Sequence, residues 1–273
     1  MTNQSAPTES RTASRTRSFA AFRSIAALIM REMATEHGRN PGGYIWAILQ
    51  PLAGVAVMVM IFQFGLRVRE PRLGSNFAIY FATGMIPFMA WRDISQKLTT
   101  ALRYSSAFLA YPSVTLVDAL AARFTLNFLT HLMVGYIVFA FMLSFFETGT
   151  SPQLPGIALA YAMMMVLGIG VGIMNSFITG VFPLWTQAWN IITRPLFLIS
   201  GVFFLIDDMP APVRDLLWWN PLAHAIGQMR KAFYPQYDAL WVSPFYVFTV
   251  GLVLTLFGLL LLDHYKSRIL HEL

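Results

Sequence analysis

The chain has 273 residues, of which 56% are apolar and only 12% are charged, and its formal net charge is +6. A soluble domain carries about 25% charged residues, so this composition excludes an ordinary soluble enzyme and indicates one membrane domain. The absence of cysteine excludes a disulfide framework and a thiolate nucleophile, and the basic residues form no aromatic-lined stripe of the kind that binds nucleic acid.

The chain begins with a Ser/Thr/Arg-rich arm. Residues 1–17 are predicted to be a disordered tail, without the apolar core of a cleavable signal peptide. Between 18 and 37, apolar residues recur at spacings of three and four, which predicts an amphipathic helix. This helix is too polar to cross a bilayer, so we expect it to lie in the membrane interface. A soluble helix packed on a partner is the alternative.

Six segments are predicted to cross the membrane. The first is about 34 Å long at 1.5 Å per residue, enough for a hydrocarbon core of about 30 Å. The predicted spans cover residues 44–66, 76–91, 119–146, 157–181, 187–206 and 239–262. We therefore expect an all-α integral membrane protein with an N-terminal interfacial helix.

The segment 207–238, between the last two spans, contains charges and four prolines. Its apolar patches are too short to cross a bilayer. We expect two short helices that enter the membrane from one side and turn back, as a re-entrant hairpin packed against protein or a water-filled cavity.

The lysine and arginine residues orient these spans. Six crossings place both termini on the same side, and thirteen of the nineteen basic residues fall on that side. Since cytoplasmic loops carry the excess of basic residues, we expect both termini and the 92–118 loop to be cytoplasmic and the hairpin to lie outside.

Three charged or titratable residues fall within the predicted spans. Arg194 lies well inside the fifth span, where an arginine costs about 2.5–3.5 kcal/mol of insertion free energy. It either faces an anionic substrate or a neighbouring span, or it snorkels to cytoplasmic lipid phosphates about two turns away. Arg123 is expected to snorkel as well. His131 has no nearby acid or histidine in the sequence and is expected to be a hydrogen-bonded packing residue rather than a ligand or proton relay.

Aromatic residues make up 15% of the chain, and four tryptophans lie near the ends of spans or of the hairpin. Taken singly, each favours the aromatic belt at the membrane interface. Stacking against sugar rings is the functional alternative. These residues are Trp185, Trp189, Trp218 and Trp219.

Two common transport signatures are missing from this sequence. There is no G-x-x-x-x-G-K-[ST] phosphate loop, so we expect no ATP hydrolysis of the usual kind by this chain. We also expect no carboxylate pair at mid-membrane depth, because Asp118 and Asp263 lie near the cytoplasmic span ends and Asp207 and Asp208 lie at the other face. This counts against a carrier driven by protons or sodium.

Three segments together resemble the inner-membrane permeases of ABC-2-type polysaccharide exporters, and most closely the capsular-polysaccharide export permeases. They are ALIMREMATEHGRNPGGYIWAILQPL, FPLWTQAWNIITRPLFLISGVFFL and WWNPLAHAIGQMRKAFYP. The resemblance covers about residues 20–270 and includes the order of the elements: amphipathic arm, six spans, a cytoplasmic loop after span two, and a hairpin before span six.

This resemblance implies a multi-pass protein of the bacterial inner membrane that moves lipid-linked polysaccharide outward. Two copies would form a homodimer with the conduit between them, and two separate ATPase subunits would bind ATP and magnesium, leaving this chain without a cofactor or catalytic residues. Periplasmic or outer-membrane export components would be further partners, and nucleic acid would not be one.

The resemblance also implies two sets of functional residues. The loop that docks into the ATPase would hold Lys97, Arg103, Tyr104, Phe108, Tyr111 and Pro112. The conduit or gate candidates are Arg194, Trp185, Trp189, Trp218, Trp219 and Asn220.

Other functions stay open at this point. The same architecture would serve an exporter of O-antigen, teichoic acid or a drug. A membrane glycosyl or acyl transferase would need a cluster of acids or histidines at a membrane face, for which Asp207 and Asp208 are the only candidate pair. A secondary carrier would transport under an ion gradient without an ATPase.

Overall fold

The computed structural model describes residues 24–33, 43–102 and 115–265, and within these ranges the regular secondary structure is helical. The expected all-α class is confirmed for this part of the chain. In chain order the helices are α1 (24–33), α2 (Gly43–Met60), α3 (Phe77–Thr99), α4 (Leu116–Phe145), α5 (Leu154–Val181), α6 (Trp185–Ile199), α7 (Ala211–Trp218), α8 (Pro221–Phe233) and α9 (Pro244–His264). A π-helical turn, Ile61–Gly65, extends α2, and a 3₁₀ turn, Ile206–Asp208, precedes α7.

Four helices in the described ranges are long and apolar enough to cross a membrane. They are Ile45–Gly65, Leu116–Phe145, Leu154–Val181 and Pro244–His264. These segments correspond to the predicted spans one, three, four and six. Helix α3 has the necessary length, but its charged C-terminal part lowers its hydropathy, and α6 has only 15 residues.

Two helices differ from their predicted boundaries. Helix α3 continues to Thr99, eight residues beyond the end predicted at 91, so that Arg92, Asp93 and Lys97 lie on a helix rather than in a loop. Helix α6 ends at Ile199 instead of 206, because the chain turns at Gly201, whose φ of 78° favours glycine. Two short helices, α7 and α8, do occupy the segment predicted as a hairpin.

Side-chain caps define several helix starts. Asn76 accepts a hydrogen bond from the Ala78 amide at 2.8 Å at the start of α3. At α4, Thr115 and Asp118 form a reciprocal capping box, which satisfies two backbone amides that a helix start would otherwise leave unpaired. Asp118 is therefore a structural residue.

Helix α5 lies at the centre of the bundle and packs against α9, α3 and α8. Its glycines allow close approach: a Cβ at Gly170 would lie 2.5 Å from the Gly251 carbonyl oxygen of α9. Small residues let helix backbones meet closely where lipid provides no hydrophobic driving force. The α5–α9 interface thus depends on the absence of a side chain at this crossing.

Replacing Gly170 by leucine is expected to separate α5 from α9 and to destabilise the protein by at least about 1–3 kcal/mol, as overpacking does. Thermal unfolding of the detergent-purified chain measures the effect. Gly65→Leu is the matched control, because a Cβ at Gly65 meets nothing within 4 Å. Equal melting temperatures for the two variants would contradict the close α5–α9 contact.

Helices α3 and α4 are antiparallel and in a defined register. At one end, the Ser75 hydroxyl donates to the Glu147 carbonyl over 3.3 Å; at the other, the Arg123 guanidinium donates to the Lys97 carbonyl over 3.0 Å. The N-terminus of α3 and the C-terminus of α4 therefore lie at the same face of the bundle, and this register positions the polar residues described below.

Arg230 of α8 organises the segment between α6 and α7. It is only 2% exposed, and its guanidinium donates to the carbonyls of Phe204 at 2.7 Å and Val202 at 2.8 Å. It also lies 4.5 Å from the centre of the Tyr80 ring. A fully buried cation is tolerated here because carbonyl dipoles and an aromatic face surround it. The sequence analysis did not single out this residue.

Candidate functional site

A polar groove runs between α2, α3 and α6. It encloses about 720 Å³, and we call it the main groove. Its polar lining comprises Gln50 of α2, Arg92, Asp93 and Gln96 of α3, and Asn190, Thr193 and Arg194 of α6. The many amide and charged side chains in this groove indicate that water reaches it, because positions that face lipid do not carry such groups.

A smaller polar cavity of about 220 Å³ lies between α2, α3 and α4, and we call it the side cavity. His131, Asn127 and Thr130 of α4 line it together with Lys97. The two cavities have four lining residues in common, namely Gln50, Met89, Asp93 and Gln96. The N-terminal half of α2 therefore lies over a continuous polar strip.

Asp93 lies at the junction of the two cavities. Its carboxylate is 3.2 Å from the Arg92 guanidinium and 3.5 Å from Nε2 of His131 on α4. The expectation that His131 has no nearby acid is wrong. The error arises because its charge assigns Asp93 to a loop in the sequence, whereas α3 continues through it. The sequence does contain a signal for this part of α3, because Met89, Asp93 and Gln96 follow one another at the helical spacings of four and three residues.

Arg194 faces the main groove from α6. It is exposed, and among the described residues it makes no ion pair or hydrogen bond. Its neighbour Thr193 is buried and donates to the Trp189 carbonyl at 2.7 Å. The candidate Arg194 therefore lines the same groove as Arg92, a residue expected from the sequence to lie in a loop.

Trp185 and Trp189 lie one turn apart near the start of α6. Their rings stack with centroids 6.2 Å apart, and the Trp185 indole donates to the Asn175 amide oxygen of α5 at 2.8 Å. Neither residue lines the two polar cavities described above. The hydrogen bond of Trp185 joins α6 to α5. This structural role explains the position of Trp185, so that no ligand has to be invoked.

Trp218, Trp219 and Asn220 lie together at the junction of α7 and α8, and none of the three lines the main groove. Trp218 stacks on Tyr246 with centroids 5.2 Å apart, and Trp219 is 67% exposed. Asn220 caps α8 by accepting from the Leu222 amide and donates to the Ser200 hydroxyl at 3.1 Å. The conduit candidates thus divide into two places rather than one.

His224 fixes this junction. It is fully buried; its Nδ1 accepts from the Ser243 amide at 3.1 Å, and its Nε2 donates to the Trp218 carbonyl at 2.7 Å. Burial lowers the pKa of His224, with the bond to the Trp218 carbonyl opposing that shift. The neutral imidazole with a proton on Nε2 satisfies both contacts, so His224 is a packing residue.

The acidic pair Asp207 and Asp208 does not form a shared site. Asp207 accepts from the Tyr237 hydroxyl at 2.5 Å and the Trp241 indole at 3.1 Å, whereas Asp208 lies 3.5 Å from Arg72. Their side chains thus have separate structural partners, which weakens the case for a transferase. Within the described ranges there is no group of three or more His, Asp or Glu residues that could hold a metal ion.

Lys97 is the one ATPase-coupling candidate within the described residues; Arg103, Tyr104, Phe108, Tyr111 and Pro112 lie outside them. Lys97 lies at the end of α3 and lines the side cavity. Its carbonyl accepts from Arg123, which is only 4% exposed and pairs with Glu32 of α1 at 2.7 Å. The expectation that Arg123 snorkels is wrong, because α1 brings a carboxylate to it.

Removing either side of the buried Arg123–Glu32 pair, by Arg123→Leu or Glu32→Leu, is expected to cost about 3 kcal/mol, since a buried charge loses its partner. Combining the two changes is expected to cost less than their sum, because an apolar pair replaces an ion pair. Thermal unfolding of the three variants measures the coupling, with exposed Arg214→Leu as control. Strictly additive effects would show that the pair does not join α1 to α4.

Comparison with known proteins gives consistent matches along the chain. A family model described as ABC-2 type transporter matches residues 23–234. The polysialic acid transport protein KpsM of Escherichia coli is 29% identical over 248 residues, covering 89% of this chain and 93% of that protein. The capsule polysaccharide export inner-membrane protein CtrC of Neisseria meningitidis serogroup B is 25% identical, with coverage of 90% and 92%. The O-antigen export system permease protein RfbA of Klebsiella pneumoniae is 22% identical, with coverage of 90% and 93%.

Proposed function

The chain belongs to the ABC-2 type transporter family, and from this premise we propose that it is the membrane permease of an ATP-driven exporter of capsular polysaccharide. The observation that carries the proposal is the alignment, over about nine tenths of the chain, with relatives named for polysialic acid transport and for capsule polysaccharide export. The name of CtrC places that relative in the inner membrane, and four described helices of this chain are long and apolar enough for a bilayer. This chain would carry no catalytic residues; ATP and magnesium would bind to partner subunits.

We propose that α3 and α6 complete a set of six crossings, with residues 1–17 as a tail and 18–273 as the membrane domain. Helix α6 spans only about 22 Å, so the segment after it must cover the remaining depth. Non-helical backbone is tolerated in a membrane where protein satisfies its carbonyls. The Arg230 bonds to Val202 and Phe204, and the burial of Ser200 and Leu205, support this assignment.

The α7–α8 pair would be the re-entrant hairpin. Helix α8 is buried along most of its length against α5, α3 and α9, as a segment that enters a membrane without crossing it must be. An even number of crossings then places both termini on one side, and the distribution of basic residues favours the cytoplasm.

We propose that two copies close the main groove into a conduit. The groove is bordered by α2 and α6, which expose apolar side chains including Trp46, Phe64, Ile191 and Leu198. A long hydrophilic polymer needs a continuous groove rather than a small enclosed cavity. Walls that carry neutral amide groups would let the polymer slide along the groove without binding tightly. Arg194 would face the cargo within the groove, whereas Trp218, Trp219 and Asn220 would line the outer exit, with Trp185 and Trp189 at the inner end.

The proposal is tested by purifying the tagged chain in mild detergent from its native membranes and identifying the proteins that copurify. We expect a stoichiometric partner with a Walker ATPase motif and measurable ATP hydrolysis. Deletion of the gene should remove a surface glycan, and an exporter of this class would also engage periplasmic or outer-membrane components. A chain that purifies alone and shows no ATPase at any detergent strength would favour a carrier or a membrane enzyme.

The second candidate is export of O-antigen by the same architecture, favoured by the similarity to an O-antigen permease at 22% identity. The glycan lost on gene deletion separates the two: loss of capsule with intact lipopolysaccharide side chains supports the first proposal, and the reverse supports the second. Export of teichoic acid or a drug would leave both glycans in place.

A further inference from the structure

Asp93 and His131 lie at a depth where ionisable side chains are rare. Asp93 is about 24 Å along α3 from Phe77, and His131 is about 21 Å along α4 from Phe145, at 1.5 Å per residue. The two reference ends lie at the same face of the bundle, as the Ser75–Glu147 contact shows. With that face at the outer membrane boundary, as in the six crossings proposed above, both side chains fall within a hydrocarbon core of about 30 Å, where titratable residues mark ligand sites or proton paths.

The charges that surround the pair are few and identifiable. Helices α2 and α5 contain no charged residue, and Asp93 is the only described carboxylate that lines either cavity. The remaining charged groups around the two cavities are Arg92 and Lys97 of α3, Arg123 of α4 paired with Glu32 of α1, and Arg194 of α6. Among the described residues, Asp93 is therefore the only negative group that a proton on His131 meets at close range.

The site is accessible to water and accommodates both forms of histidine. The Asp93 side chain is 33% exposed, and it opens on the side cavity and the main groove together. Nε2 of His131 lies 3.5 Å from the Asp93 carboxylate, which is within ion-pair range of an imidazolium, and a neutral imidazole occupies the same position without a charge. Proton uptake therefore requires no rearrangement of the helices.

We propose that Asp93 and His131 form a proton-binding site at the junction of the two cavities, and that its occupancy sets the charge of the main groove. With the proton bound, His131 neutralises Asp93, and Arg92 and Arg194 leave the groove positive. Without the bound proton, the negative charge of Asp93 offsets the positive charge of Arg92. Proton occupancy and the affinity of the groove for an anionic group are then linked, and linkage acts equally in both directions. This site goes beyond the proposed export function and is testable without it.

The direct test is nuclear magnetic resonance of the full chain in lipid nanodiscs with isotope-labelled histidine. The chain has five histidines, and loss of one signal in His131→Gln identifies His131. We expect that signal to titrate, and to titrate at lower pH in Asp93→Asn, where the imidazolium has lost its counter-charge. Asp263→Asn is the control and should leave the titration unchanged.

A His131 signal that does not titrate across the pH range in which the chain stays folded would overturn the proposal, as would a titration that Asp93→Asn leaves unchanged. The functional test measures ATP-driven export against cytoplasmic pH in the assembled exporter. We expect a several-fold pH dependence that His131→Gln removes and that the exposed His264→Gln retains. Because the resonance test needs no export, failure of the proton site and failure of the transport proposal give different results.

Discussion

Deleting residues 105–111 is expected to abolish export while leaving the chain inserted in the membrane. The prediction rests on the family resemblance, which implies that the segment from Lys97 to Pro112 docks into the ATPase, and on our proposal that it transmits the movement of that subunit. The same loss is expected for the charge reversal Arg103→Glu. The readouts are surface glycan, copurified ATPase, and the amount of the chain in the membrane fraction.

A deletion of equal length in the N-terminal arm, residues 3–9, is the matched control and is expected to leave export intact, because that segment is predicted to be a disordered tail. Normal export after deletion of 105–111 would remove the coupling assignment. Loss of the chain from the membrane fraction would instead show that the segment is needed for folding, and Arg103→Glu would then carry the test.

Replacing Arg230 by alanine is expected to lower the free energy of unfolding by about 3 kcal/mol, and the melting temperature by on the order of 10 °C. The change removes two charge-assisted hydrogen bonds and leaves the carbonyls of Val202 and Phe204 buried without donors. Arg230→Lys is expected to rescue little, since a single ammonium does not reproduce the geometry of two parallel guanidinium donors. Thermal unfolding of the purified chain measures both variants.

Lys231 provides the control, because it is the next residue on the same helix. Its only described ion pair, with Asp238 at 3.6 Å, is solvent-exposed on both sides. An exposed pair contributes about 0–1 kcal/mol, so Lys231→Ala should barely change the melting temperature. If the two alanine variants had the same melting temperature, Arg230 would not hold the segment after α6, and the proposed crossing by α6 would lose its support.

The long apolar helices could be predicted from the sequence because their signal is local. A run of some twenty residues without charge is recognisable at each position by composition alone, and α2, α4, α5 and α9 lie close to their predicted places. The family resemblance was accessible for a similar reason: it depends on the order of elements along the chain. The cap of α4 at Thr115 and Asp118 is equally local.

Residues whose partners come from other helices could not be placed in this way. Arg92, Asp93 and Lys97 were predicted to lie in a loop because charged residues lower the hydropathy of a segment. Hydropathy contains no information on a partner from another helix that compensates the charge. Only the packing of the helices places His131 next to Asp93 and Glu32 next to Arg123. Arg230 is the clearest case, since its acceptors lie 26 and 28 residues earlier in the chain.

The sequence alone thus determined the membrane class, most of the span positions and the family, because each depends on the composition or order of contiguous residues. The tertiary structure alone decided which charges lie inside the bundle and how they are compensated. A buried charge is stable only where another element brings it a counter-charge, a carbonyl or water. That condition depends on helix register and crossing, as the antiparallel contact of α3 and α4 shows for Asp93 and His131.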